Sequence, residues 1–170
     1  MIGKTDFQTP IPVCEYMAGL VPAGAKKLLE PTPGIGNLVG VLRKDPELIV
    51  ETPDNFFDID TSKCRFDCIV MNPPFSSKYA FGLPEGAETG MRTGYFILTE
   101  CMKMSDSVIA LMPWFTISDS DVRLRFLKSW GIMSITALPR KTFQYARIQT
   151  VVLKLSKGFQ GHTIFNTFNF

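Results

Sequence analysis

Apolar positions along the chain switch repeatedly between a helical and a strand period. After a polar, proline-punctuated start, Val13, Met17 and Leu20 fall at helical spacing and predict a helix over residues 11–20. Residues 25–31 end in Leu28-Leu29-Glu30-Pro31 and read as a short strand, and a glycine turn then leads into a helical stretch over 38–44. Residues 48–51 predict a second strand. The apolar run 66–71, interrupted only by Asp67, predicts a short buried strand. Met91, Tyr95, Leu98 and Met102 mark a helix over 91–104, and that stripe reads as core rather than as a site. Further strands are expected over 108–112, 132–138 and 150–155, with a helix over 122–130 between the first two. Strands alternating with helices predict an α/β fold with a mostly parallel sheet.

Composition narrows this picture without deciding it. A chain of 170 residues suits one domain on one core and leaves no room for a second. The net charge of +2 neither requires nor excludes nucleic acid. Cys14, Cys64, Cys68 and Cys101 form no paired CxxC arrangement, so they are expected as reduced packing residues in a cytoplasmic protein. A single histidine, His162, argues against a zinc site or a histidine base, and no metal is expected. No stretch reaches 18 consecutive apolar residues, and neither a signal-peptide pattern nor an internal repeat is present.

Two stretches carry candidate chemistry. Asn72-Pro73-Pro74-Phe75 directly follows the buried run, which places a rigid polar turn at the carboxyl end of a strand. The prolines fix their own φ angles and push Asn72 out of the α region, so an amide oxygen and proline carbonyls form a fixed cluster of acceptors beside an aromatic ring. Such a cluster suits a planar group carrying an NH₂, such as a nucleobase amine. The plainer reading is a loop signal. The second stretch, Thr32-Pro33-Gly34-Ile35-Gly36-Asn37, has the strand, glycine turn and helix order of a nucleotide-cofactor loop, in which Gly34 and Gly36 can take positive φ and admit close backbone approach.

Residues 66–75, FDCIVMNPPF, resemble the catalytic motif of the S-adenosylmethionine-dependent amino-methyltransferases, above all the N6-adenine DNA methyltransferases. The resemblance implies a Rossmann-like methyltransferase fold with an antiparallel C-terminal strand. It implies transfer of a methyl group from S-adenosyl-L-methionine to adenine N6, with Asn72, Pro73, Pro74 and Phe75 as the catalytic motif. EPTPGIGNL resembles the family's EPxxGxGxL, which assigns Glu30, Pro31, Gly34 and Gly36 to the cofactor. Thr9-Pro10 before a helix is similar to the N-terminal cofactor motif of the gamma arrangement, in which the threonine contacts the methionine end; Thr9 is equally suited to cap the helix.

Between Gly36 and Phe66 lie only about thirty residues, too few for the second strand, helix and third strand that a full family member carries there, so the intervening helix is expected to be missing. Glu51 then matches the acid for the cofactor ribose, or is a solvated strand-end acid. Asp54-Asn55-Phe56-Phe57 resembles the family's Asp-Phe-Leu motif, so Asn55 or Asp54 would reach the cofactor adenine and Phe56 would stack on it. Phe143 matches the aromatic that clamps a flipped base opposite Phe75, or is hairpin core. Arg140, Lys141 and Arg147 suit phosphates or ordinary surface charge. The resemblance spans Thr9 to about Leu155 and lacks a target-recognition domain. DNA is therefore expected as the partner, bound weakly and without sequence preference by this chain alone, and specificity is expected from a separate subunit or from self-association. The same motif type also fits methylation of RNA or of protein glutamine, and the shortened cofactor half fits a non-catalytic partner subunit.

Overall fold

The most apolar runs of the sequence form central strands covered on both faces. The structure, a computed structural model, describes residues 7–76, 92–143 and 148–170. The chain opens with α1 (Ile11–Gly19), β1 (Lys27–Leu29), α2 (Asn37–Leu42) and β2 (Ile49–Glu51), and a one-turn 3₁₀ helix (Phe56–Asp58) leads to β3 (Cys68–Met71). Then follow α3 (Thr93–Met104), β4 (Ser107–Pro113), α4 (Phe115–Ser118), α5 (Asp121–Trp130), β5 (Ile132–Ala137), β6 (Thr150–Ser156) and β7 (Ile164–Thr167).

The strands form a single seven-stranded sheet in the order β2-β1-β3-β4-β6-β5-β7. β6 lies antiparallel to both β4 and β5, and the remaining neighbours pair in parallel. The expected α/β architecture with one antiparallel strand near the C-terminus is what forms. Every strand and helix expected from periodicity is present, with ends that differ by a few residues. Met91, at the expected start of α3, lies outside the described residues.

Alternation along the central strands sorts their side chains into two cores. Ile69 and Met71 of β3, with Val108, Ala110 and Met112 of β4, join Ile97, Leu98 and Cys101 of α3 on one face. Cys68, Val70, Ile109 and Leu111 point the other way, onto Val13, Cys14 and Met17 of α1 and Leu38 and Leu42 of α2. Tyr95, Leu98 and Met102 of the α3 stripe pack with the first core, as expected of a core stripe. The described cysteines are all free, and burial pushes the Cys14 and Cys68 thiols up to about 12 and about 11, which keeps them inert.

Two features govern the site. Between β2 and β3, in this described stretch, the chain makes only the 3₁₀ turn, with no α-helix where the intervening helix was expected to be missing. After β6, where periodicity predicts no element, the chain forms β7 along the free edge of β5, in parallel, with Ile164 opposite Ser134 and Thr167 opposite Ala137. All four β7 residues are exposed, so no alternation was available to announce the strand.

Candidate active site

β1 and β3 are parallel neighbours, so their carboxyl ends deliver Glu30 and Asn72 to one place. Thr32 joins them. Its hydroxyl lies 3.2 Å from the Asn72 carbonyl and 3.4 Å from Glu30 Oε1, and its backbone N–H donates to the same carboxylate oxygen at 3.3 Å. Glu30 is 1% exposed and its other oxygen, Oε2, has no hydrogen-bond partner. Burial away from water disfavours the charged form and raises the carboxyl to about 8, against the pull of its hydrogen bonds from Thr32 and the Asn72 backbone. The carboxyl borders a small cavity of about 40 Å³ that Phe7, Thr9, Asn37 and Asn72 also line.

Asn72 presents a defined polarity. Its amide nitrogen donates to the Phe7 carbonyl at 3.1 Å and to Thr9 Oγ1 at 2.9 Å. A backbone carbonyl can only accept, so the nitrogen must face Phe7 and the amide oxygen must turn the other way. Both N–H groups are thereby engaged, which leaves Oδ1 as the group Asn72 offers to a ligand. Behind the motif, α3 packs closely: a Cβ on Gly94 would stand 3.3 Å from the Pro74 carbonyl and 3.5 Å from Phe75 Cα.

The glycine turn takes the conformation its sequence requires. Gly34 and Gly36 have φ of 57° and 92°, a region that L side chains rarely adopt. Their surroundings differ. A Cβ at Gly36 would meet open space, whereas one at Gly34 would stand 2.5 Å from Gln8 Oε1. That same Gln8 oxygen accepts the Ile35 N–H at 3.1 Å, and Asn37 Nδ2 donates to the Thr9 carbonyl at 3.0 Å. Residues 7–9 are thus a strap across the turn, and Thr9 serves it with both its carbonyl and its hydroxyl. Pro10 is the N-cap residue of α1, with no side-chain bond, so Thr9 does not cap that helix.

The other expected cofactor residues lie apart. Glu51 ends β2 opposite Leu29, but its carboxylate pairs with Lys27 at 3.1 Å and is about half exposed, as a solvated strand-end acid would be. Asn55 caps the 3₁₀ turn by accepting the Phe57 N–H at 3.2 Å. Phe56, expected to stack on the cofactor adenine, is 5% exposed and packs in the core with its ring edge on Phe57. Pro31 is buried.

On the acceptor side, Phe143 is 5% exposed in the α1 and α2 core, against which Phe75 also packs, so in this structure it is core. Arg140 and Lys141 are exposed, and Arg147 lies outside the described residues, as do residues 77–89 of the glycine-rich loop after the motif. Among the described residues no group of three or more His, Cys, Asp or Glu is placed to hold a metal, and no helix is long and apolar enough to cross a membrane. Sequence reasoning gave no role to Phe7, Gln8, Thr32, Asn37 or Gly94. Gln8, Thr32 and Asn37 lie in or beside the motifs the sequence singled out, whereas nothing local linked Phe7 or Gly94 to the Asn-Pro-Pro turn.

No family profile and no curated protein matches this chain. Solved structures do. A modification subunit assigned to a type I restriction enzyme of Vibrio vulnificus superposes with a TM-score of 0.70 at 20% identity, over 96% of this chain and 47% of that one. The type I restriction-modification methyltransferase subunit of Streptococcus thermophilus gives 0.73 at 17% identity, over 95% and 47%. A Listeria monocytogenes protein assigned to the class I S-adenosylmethionine-dependent methyltransferases gives 0.67 at 16% identity, over 98% and 67%. The chain spans about half the length of the two restriction-modification subunits. At these identities the likeness establishes the fold.

Proposed function

We propose that this chain, which has the Rossmann-like fold of the S-adenosylmethionine-dependent methyltransferases, transfers a methyl group from S-adenosylmethionine to an exocyclic amine, adenine N6 in DNA. The observation that carries the reading is the polarity of Asn72. A group that offers only an acceptor selects a donor, so an NH₂ is favoured over a carbonyl or a ring nitrogen.

The residues at the head of β1 fit the cofactor. A buried carboxylate oxygen without a partner, facing a small polar cavity, suits an ammonium group such as the α-amino group of S-adenosylmethionine. Glu30 would hold that group, and the open space over Gly36 would let the backbone approach the rest. When bound, the cofactor supplies an electrophilic methyl on a sulfonium. The chain's contribution is orientation. Adenine N6 is a poor nucleophile because its lone pair is delocalised into the ring. Hydrogen bonds from its two hydrogens to Asn72 Oδ1 and the Pro73 carbonyl would favour a pyramidal nitrogen with the lone pair aimed at the methyl. Phe75 offers a stacking face for the extruded base.

Tritiated S-adenosylmethionine incubated with the chain and DNA, RNA or protein, followed by digestion to nucleosides or amino acids, tests the assignment. N6-methyl-2′-deoxyadenosine from DNA is the expected product. Label in RNA or glutamine alone would keep the chemistry and change the substrate. One structural fact favours a second reading, a subunit that binds no cofactor and completes a partner: Glu51, Asn55 and Phe56 are all committed to contacts within the chain. Calorimetric titration with S-adenosylmethionine separates the two, since that subunit would give no heat.

A further inference from the structure

We infer that Thr9 is a positioning residue for Asn72, acting on the acceptor amine through the Asn72 amide; the inference rests on the acceptor reading of Asn72 above. The hydroxyl of Thr9 receives an Asn72 N–H at 2.9 Å across 63 residues of sequence. Thr9 is 3% exposed and its hydroxyl serves no helix cap, so this contact is the use the structure gives it.

The geometry explains why such a brace is needed. A side-chain amide is nearly symmetric, and rotation by half a turn exchanges a donor for an acceptor at almost the same positions. The Phe7 carbonyl rejects the rotated form, because the amide oxygen would then face another acceptor at 3.1 Å. Thr9 Oγ1 takes the remaining N–H and fixes the plane. With both hydrogens engaged, only Oδ1 points to the ligand.

The brace is itself rigid. The Thr9 carbonyl accepts from Asn37 Nδ2 at 3.0 Å and from the Cys14 thiol at 3.4 Å, and the neighbouring Gln8 is bound to the glycine turn. Thr9 therefore joins the glycine turn to the Asn-Pro-Pro motif, two segments that meet only through the fold.

The test uses Thr9→Val, which keeps the shape and removes the acceptor, and Thr9→Ser, which restores it. Thr9→Val should lower kcat about tenfold, in line with the loss of one buried hydrogen bond, while the S-adenosylmethionine dissociation constant stays within about twofold. Thr9→Ser should recover most of kcat. In an Asn72→Ala background Thr9→Val should cost nothing further. A weakened cofactor affinity with unchanged kcat would overturn the inference in favour of a direct cofactor contact, and failure of serine to rescue would overturn it in favour of packing.

A second readout does not depend on turnover. The Asn72 side-chain amide protons, followed by NMR in the full chain, should exchange slowly with solvent in the wild type, and one of them faster in Thr9→Val. Unchanged exchange would overturn the inference even if the chain proved to transfer no methyl group. No methyl transfer by the wild-type chain, together with the predicted exchange pattern, would instead overturn the functional reading and leave the brace standing.

Discussion

The carboxyl ends of β1 and β2 lie side by side and were built to different degrees. At the end of β1, Glu30 is buried, braced by Thr32 and left with one unsatisfied oxygen, a state that costs folding free energy and persists where a ligand group can complete it. At the end of β2, Glu51 pairs with Lys27 in solvent, Asn55 satisfies the backbone of its own turn and Phe56 fills the core. Each of these three side chains already has a partner within the chain. A site can thus be prepared at one strand end and withheld at its neighbour, and the preparation shows as incompleteness rather than as any residue type.

The largest effect should come from Asn72. Its replacement by Asp keeps an acceptor but sets a carboxylate oxygen against the Phe7 carbonyl, 3.1 Å from where the nitrogen stood. Both Asn72→Ala and Asn72→Asp should reduce methyl transfer by about a hundredfold or more with cofactor affinity nearly unchanged. Single-turnover assays beside calorimetric titration check this. Retention of activity in the aspartate variant would mean that the strap does not set the polarity of the motif.

Next in size is Gly34→Val. It combines strain at φ 57° with a collision on the Gln8 amide, so the Gln8 side chain must swing off the turn and give up its bond to the Ile35 N–H. Cofactor affinity should fall at least about tenfold, as expected for strain of about 1–3 kcal/mol. Gly36→Ala meets open space and should cost less, which makes the pair of variants a measure of how much the strap matters beyond backbone conformation.

A smaller effect distinguishes Glu30 through pH. Its carboxyl titrates near 8 when folded and near 4.5 when unfolded, so the folded chain holds a proton that the unfolded chain releases between those values. Stability tied to Glu30 is full below about 4.5 and is lost as pH rises through about 8. Melting temperatures across that window should decline in the wild type and decline less in Glu30→Gln. Equal slopes would show that Glu30 is solvated. Binding of an ammonium group needs the carboxylate, so wild-type cofactor affinity should climb as pH approaches 8 and release a proton on binding.

The smallest effect is expected at the other strand end. Glu51→Gln removes a half-exposed ion pair, which contributes well under ~1 kcal/mol. Cofactor affinity should change less than about twofold. A tenfold loss would show that Glu51 leaves Lys27 for the ligand and that the two strand ends form one site.

Much of this was legible in the order of residues alone. The helix and strand periods, the positive φ of Gly34 and Gly36 and the stiff Asn-Pro-Pro turn are consequences of local sterics, which nearest neighbours along the chain decide. The shortened stretch between β2 and β3 was legible for an equally simple reason, since thirty residues have a fixed reach. What only tertiary structure decided is who meets whom. Phe7 and Thr9 stand 65 and 63 residues from Asn72, and no local rule makes them its partners. The register of β1 against β2 placed Lys27 within reach of Glu51, and the free edge of β5 drew an exposed, unpatterned tail into β7. The polarity of Asn72 belongs to this second class. The sequence supplies an amide with two interchangeable ends, and only the carbonyl that folding brings against it decides which end faces the ligand.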